Sequence, residues 1–233
     1  LDTWDTPFGV PPSDAIETAH FAPASTAALA PHAKEIAQIA GKGAAPRFDN
    51  TIAALELAGK PLRRVDMVFS QLAGANTNAE LQAVERDMAP VVTRHWNDIF
   101  LNAGLFARID QLHRQRDMLG LDAEQRRVLE RYHLDFVRAG AQLTDAQRRR
   151  YAEISERLAV LATEFAQNVL GDENEFVFAL TDAEVDGLPA DARAAAAELA
   201  RDRKLNAPYA ASTSRSSVEP VLRHANDRSG REK

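Results

Sequence analysis

Six histidines are the residue types here best suited to holding a metal or moving a proton: His20, His32, His95, His113, His133 and His224. A helical zinc hydrolase needs two histidines one turn apart flanking a glutamate, so that both imidazoles meet one ion while the carboxylate activates water. No two of the six are four residues apart, and each is followed by a residue other than Glu, so the chain contains no HExxH. Cysteine is absent altogether, which removes disulfide frameworks, thiolate zinc sites and cysteine nucleophiles, and fits a reducing compartment. Gly41 and Gly43 begin like a dinucleotide fingerprint, but the third glycine is missing and no strand pattern precedes them. Neither a GxSxG nucleophile elbow nor a GxxxxGKS or GxxxxGKT phosphate loop occurs.

Three local groups have chemistry in reach, each with a plainer structural alternative. His133 follows Tyr132 on an aromatic-bearing segment and is a candidate general base, or else a partly buried structural imidazole. Arg148, Arg149 and Arg150 could bind an acidic group, but consecutive residues on a helix spread over different faces, which describes a solvated edge. Ser214 to Ser217, with Arg215 among them, could hold phosphate at a helix N-terminus or simply cap the helix.

The elements that must position these residues read as helices. Leu29, Ile36 and Ile39 lie along an alanine-rich helix that follows Pro23 and ends at about Ala40, and Gly41 to Pro46 break it. Asp49 and Asn50 are N-cap residues for a helix over 51–58, with Gly59 at its αL end. Leu62, Val65, Val68, Phe69 and Leu72 form one stripe, and Thr77 with Glu80 opens the next helix as a capping box, which Pro90 kinks or ends. Further stripes run through Leu105, Ile109 and Leu112, then through Val128, Leu129, Tyr132 and Phe136 behind the Asp122–Gln125 cap. The longest stripe follows Thr144 and Gln147 and contains Tyr151, Ile154, Leu158, Leu161, Phe165 and Val169. Phe176, Phe178 and Leu180 then alternate with period two, a short strand at 175–180, and a second edge strand is expected near 209–214. Thr181 with Glu184 restarts helix, an alanine-rich helix covers 192–200, and Ser216 with Glu219 caps a last one.

The resulting expectation is an all-α, bundle-like helical shell with at most those two strands. Leu1 to Pro12, with Trp4, Phe8 and three prolines, reads as an extended arm anchored by its aromatics, and 13–233 as a single helical domain. Only the last dozen residues are biased enough to be read as disordered. Lys and Arg total 28 against 34 Asp and Glu, a net charge of -6 with no concentrated basic face, which argues against nucleic-acid binding. The longest apolar runs fall far below the roughly 18 residues of a membrane span. The first residues show no basic segment leading into an apolar one, so no signal peptide is visible.

Several segments then carry a likeness. Trp4 to Pro12 (WDTPFGVPP), Phe48 to Glu56 (FDNTIAALE), Leu72 to Asn78 (LAGANTN), Tyr132 to Ala141 (YHLDFVRAGA), Phe165 to Leu170 (FAQNVL) and Ser214 to Pro220 (SRSSVEP) occur in that order. Together they resemble the N-terminal part of the thimet-oligopeptidase family of zinc metallopeptidases, of the bacterial peptidyl-dipeptidase and oligopeptidase A type. The resemblance implies a longer cytoplasmic enzyme in which a helical shell closes over a deep channel and admits short peptides. It implies zinc in the parent, held by an HExxH helix and a downstream glutamate in the C-terminal half. No catalytic, cofactor-binding or metal-binding residue is carried over to this chain, and the chain alone is expected to be inactive.

Two departures stand out. Ala210, Ala211 and Ser212 are poor strand formers where a β-branched strand is usual, and Gly230 stands where a leucine before Arg-Glu-Lys is usual. Two functions of different class follow: the channel-forming portion of a zinc-dependent oligopeptidase or peptidyl-dipeptidase, or a non-catalytic helical module that binds a protein partner. Apolar surface left uncovered, and self-association through it, are expected under both.

Overall fold

Apolar residues at three- and four-residue spacing become helices almost wherever they occur. The computed structural model describes residues 4–232, so Leu1, Asp2 and Thr3 of the expected arm lie outside the described residues. The helices are α1 (Phe21–Ala40), α2 (Ala54–Leu57), α3 (Lys60–Ala75), α4 (Ala79–Phe100), α5 (Ala103–Gln115), α6 (Ala123–Arg138), α7 (Asp145–Glu175), α8 (Ala190–Asp202), α9 (Arg215–His224) and α10 (Arg228–Glu232). Two short strands, β1 (Val177–Leu180) and β2 (Tyr209–Ser212), pair antiparallel, with Phe178 opposite Ala211 and Leu180 opposite Tyr209. The fold is all-α with this one small sheet. Its residues cluster into two compact units, 1–163 and 164–233, within the stretch read from sequence as one domain.

In the first unit, α1 packs against α3, α4 and α5, and α5 against α6. The main core joins Ile36 and Ile39 of α1 to Leu105, Ile109, Leu112, Leu129 and Phe136, which the sequence stripes pointed to, and to Ile52, Leu55 and Ile99, which they did not name. Full burial of a Leu, Ile or Phe side chain contributes about 1.5–3 kcal/mol, so this cluster dominates the unit's stability. Phe21, Val65 and Leu81 form a smaller cluster, in which Phe21 meets the Phe69 ring edge-on at 5.2 Å. Helix α4 runs through Pro90 without stopping. Burial of Leu81 on one side and Ile99 on the other outweighs the roughly 3 kcal/mol that an interior proline costs.

The caps shift from their expected places in three positions. Asn78, rather than Thr77, caps α4 by accepting from the Leu81 N–H at 2.8 Å. Asn50 does not cap a helix over 51–58: its amide accepts from Arg47 N and donates to Ala45 O, closing the loop before it. The chain consequently makes one wide turn, Asp49–Ala53, before the short α2. The third shift is at α9, which starts after Ser214 rather than at Ser216. By contrast, the Asp122–Gln125 capping box forms as read, and so do the reciprocal Thr144–Gln147 bonds.

The arm also differs from its reading. Trp4 is held, with the Arg64 guanidinium 4.8 Å above its ring, but Phe8 is fully exposed and anchors nothing. Residues 7–9 of the arm form a single 3-10 turn rather than extended chain.

The second unit packs α8 and α9 on the β1–β2 sheet around Leu180, Val185, Ala211 and Val221. Thr181 and Glu184 exchange the bonds of a capping box, yet they close a run of turns instead of starting a helix, which begins only at Ala190. Ala210 and Ala211 are fully buried in β2 despite their low strand propensity, where α8 and α9 pack against the strand. The last dozen residues, read as disordered, contain the end of α9 and the short α10. There a Cβ on Gly230 would stand 3.0 Å from the Glu184 side chain, so a leucine at that place would require Glu184 to shift.

Candidate functional site

The first unit encloses a cavity of ≈ 530 Å³ between α1, the α2–α3 junction, α4, α6 and the middle of α7. That volume is within the range of small-molecule sites, about 300–1,000 Å³. Its lining is mainly apolar, from Leu62, Phe69, Met88, Trp96, Phe100 and Ala162, with His32, Arg63, Asp66, Glu85 and Tyr132 among its polar groups.

At one wall two buried imidazoles meet. His32 of α1 and His95 of α4 are 5% and 8% exposed, and His32 Nδ1 lies 2.9 Å from His95 Nε2. One ring donates and the other accepts, so a single proton joins them. Gly59 lies against the His32 ring with φ +70°, the left-handed conformation that glycine tolerates, and its N–H donates to Glu35 Oε2 at 2.8 Å. The Trp96 indole meets both rings edge-on. Burial lowers the pKa of both imidazoles; for His32 the neighbouring His95 lowers it further, against the Glu35 carboxylate. On the α6 side, burial first and then the Glu56 carboxylate push the Tyr132 phenol above its ordinary value.

Sequence reasoning did not single out this pair, although a signal existed. His32 continues the Ala28, Ile36, Ile39 stripe of α1, and His95 precedes Ile99 by one turn on α4. Polar rings at apolar positions of two separate stripes are a reason to look for one partner across the core.

His133, the base candidate, contacts Asp110 Oδ1 through Nε2 at 3.1 Å, and the His113 ring stacks flat on it with centroids 3.8 Å apart. Burial, then His133, holds His113 below the ordinary imidazole value. Asp110 also pairs with Arg114 at 2.6 Å, so the group ties α5 to α6 and orients no nucleophile. The three arginines do not converge. Arg148 bonds Asp145 and Arg150 bonds Glu153 at 3.0 Å, each on its own helix. Within Ser214 to Ser217, the Ser217 hydroxyl accepts from Ser212 N–H at 2.9 Å and Arg215 bonds Glu219, so this stretch ties the end of β2 to α9.

Among the described residues no group of three or more His, Asp or Glu side chains could hold a metal ion. The two nearest approaches do not fit zinc either: in one pair the ring nitrogens point at each other, and in the other the rings are stacked. Also among the described residues, no helix is long and apolar enough to cross a membrane.

Helix α7 contributes Ala159, Ala162 and Thr163 to the cavity and is fixed to α4 by the two-pronged bond of Arg94 to Glu156, at 2.8 and 3.2 Å. None of its 31 residues is buried. Ile154, Leu158 and Leu161 of its stripe are exposed in the first unit, as are Phe165 (71%) and Val169 in the second.

No family model matches the chain. Comparison with known proteins finds relatives along its whole length. It is 35% identical to the dipeptidyl carboxypeptidase of Escherichia coli over 228 residues, 97% of this chain and 34% of that protein. The dipeptidyl carboxypeptidase of Salmonella typhimurium is likewise 35% identical, over 233 residues, 100% of this chain and 34% of that protein. Oligopeptidase A of Escherichia coli is 26% identical over 228 residues, 97% of this chain and 33% of that protein. The chain therefore spans about a third of the length of the curated relatives it matches.

Proposed function

We infer that this chain, homologous along its length to dipeptidyl carboxypeptidase and oligopeptidase A and consistent with an N-terminal part of the thimet-oligopeptidase family, supplies the helical wall of a peptidase channel. The observation that carries the reading is the match itself: nearly all of this chain against about a third of each relative. The exposed stripe of α7 supports it. An amphipathic helix of 31 residues ordinarily buries its apolar side, and an exposed patch of this kind marks a surface that meets something else.

In this reading the wall admits short peptides, excludes folded proteins by its size, and carries out no bond cleavage. Peptide hydrolysis and the zinc that goes with it are assigned to the part of the parent beyond these 233 residues. Among the described residues the side chains do not form a zinc donor set, and no step is routed through a metal in this chain. A cytoplasmic location goes with the same reading.

The test is reconstitution. The chain alone, the remaining two-thirds of a parent alone, and the two together are mixed with a quenched short peptide. Cleavage is expected only from the combination, with zinc retained by the added part. Cleavage by this chain alone, or a stable complex that stays inactive, would overturn the reading; the second outcome would favour a helical interaction module instead.

A further inference from the structure

The mechanism proposed above makes no use of the His32–His95 pair, two buried imidazoles in direct contact at 2.9 Å. A neutral imidazole pair needs one proton between its nitrogens. Two imidazoliums would each direct an N–H into the other at 2.9 Å, an arrangement with repulsion and no acceptor. His32 lies against the Gly59 backbone, the point at which a Cβ would sit being 2.8 Å from its ring atoms, and Trp96 closes the edges of both rings.

The charges acting on the pair come from three helices. On α1 the Glu35 carboxylate favours a charged His32, but it is already bonded to the Gly59 N–H. On α3 the Arg63 guanidinium opposes a charged His32, while on α4 Asp98 favours a charged His95. Arg63 is fixed in place by bonds to the Glu56 and Ala58 carbonyls, at 3.0 and 3.4 Å. The two rings join helices that between them line the ≈ 530 Å³ cavity, with Trp96 and Ile36 beside them.

We propose that the His32–His95 contact is a proton-operated latch: neutral, it holds α1 to α4 and to the start of α3, and doubly charged, it parts them and opens the cavity they border. Burial disfavours both charged rings, which puts release on the acid side of the ordinary imidazole range and leaves the latch closed at neutral pH. The acid-opened state exposes Leu62, Phe100 and the part of Trp96 that is still covered, Trp96 being 43% exposed when the latch is closed, so it gains affinity for apolar ligands.

The experiment is a titration of the full chain from about pH 8 to about pH 4.5, across the imidazole range. It reads the histidine ring protons by NMR and Trp96 fluorescence in a Trp4→Phe background. Expected is a step steeper than a one-proton titration, shared by both rings, with a red shift of Trp96 and faster amide exchange in α1 while far-UV helix signal persists. His95→Gln, which can hydrogen-bond but not titrate in this range, should abolish the Trp96 step. A Trp96 step unchanged in His95→Gln overturns the latch, as does independent titration of the two rings with no change in α1 exchange. Parallel loss of the far-UV signal means global acid unfolding and overturns it too. If His95→Gln does not fold, the ring protons and α1 exchange of the parent sequence decide alone.

Discussion

Replacing Gly59 by alanine tests the packing at the His32 wall, and its cost divides into two parts of different origin. The first is conformational: Gly59 has φ +70°, and an L side chain there costs about 1–2 kcal/mol. The second is steric. The new methyl would stand 2.8–2.9 Å from three atoms of the His32 ring, more than half an ångström inside ordinary contact, and that ring is held by His95 and Trp96. Overpacking of this kind typically costs about 1–3 kcal/mol. Gly59→Ala should therefore destabilise by roughly 2–5 kcal/mol, summing these two ranges. In a His32→Ala background the steric part disappears and about 1–2 kcal/mol remains. Urea unfolding of the four proteins gives the cycle, with unchanged m-values confirming that the same transition is compared. His32→Ala alone leaves His95 without its partner, but that cost is common to both background proteins and cancels. Equal cost of Gly59→Ala in the two backgrounds, within about 0.5 kcal/mol, would refute the packing argument.

Four further outcomes are expected. Arg108, 7% exposed, donates to the Lys42 and Ala44 carbonyls and to Asn50 and Thr51, so Arg108→Met should cost about 2–4 kcal/mol by denaturant unfolding; under 1 kcal/mol would contradict its role as the clamp of the 41–46 loop. Ile109→Ala in the core should cost about 2–5 kcal/mol, whereas Phe165→Ser on the exposed α7 stripe should stay within about 0.5 kcal/mol and reduce sedimentation of any associated species. His32, His95 and His113 all have folded-state pKa values below 6.5, so the unfolded chain binds more protons as pH falls below 6.5. The stability tied to these three is complete above that pH and is lost as pH falls toward their folded values; a denaturation midpoint that rises on acidification from neutral would reverse the sign and refute it. Gly230→Leu should destabilise the second unit by about 1–3 kcal/mol, read as earlier loss of amide protection in α9 and α10, because Glu184 occupies the space.

Much of the architecture was legible from residue spacing. The stripes of α3, α5, α6 and α7, the Asp122 and Thr144 caps and the period-two strand, read at 175–180 and formed at 177–180, all follow from local patterns of apolar residues and short polar side chains. The readings that failed did so where a cap residue had a choice of partners. Asn50 serves a loop instead of a helix, Thr181 and Glu184 close a turn, and Asn78 takes the cap from Thr77, because side-chain amides, carboxylates and hydroxyls bond whichever backbone groups the fold brings near.

The order of apolar stripes, breaks and family-like segments was enough to read an all-α chain similar to dipeptidyl carboxypeptidase and oligopeptidase A, since helix period and local motif are properties of neighbouring residues. Only the tertiary structure decided which polar groups meet. His32 and His95 are 63 positions apart, and Arg108 reaches a loop more than sixty residues before it. Local propensity says where a helix runs and which side is apolar, but the partner across the core depends on how the helices cross. The exposed stripe on α7 has the same origin: the sequence specifies an apolar side, and burial depends on what packs against it.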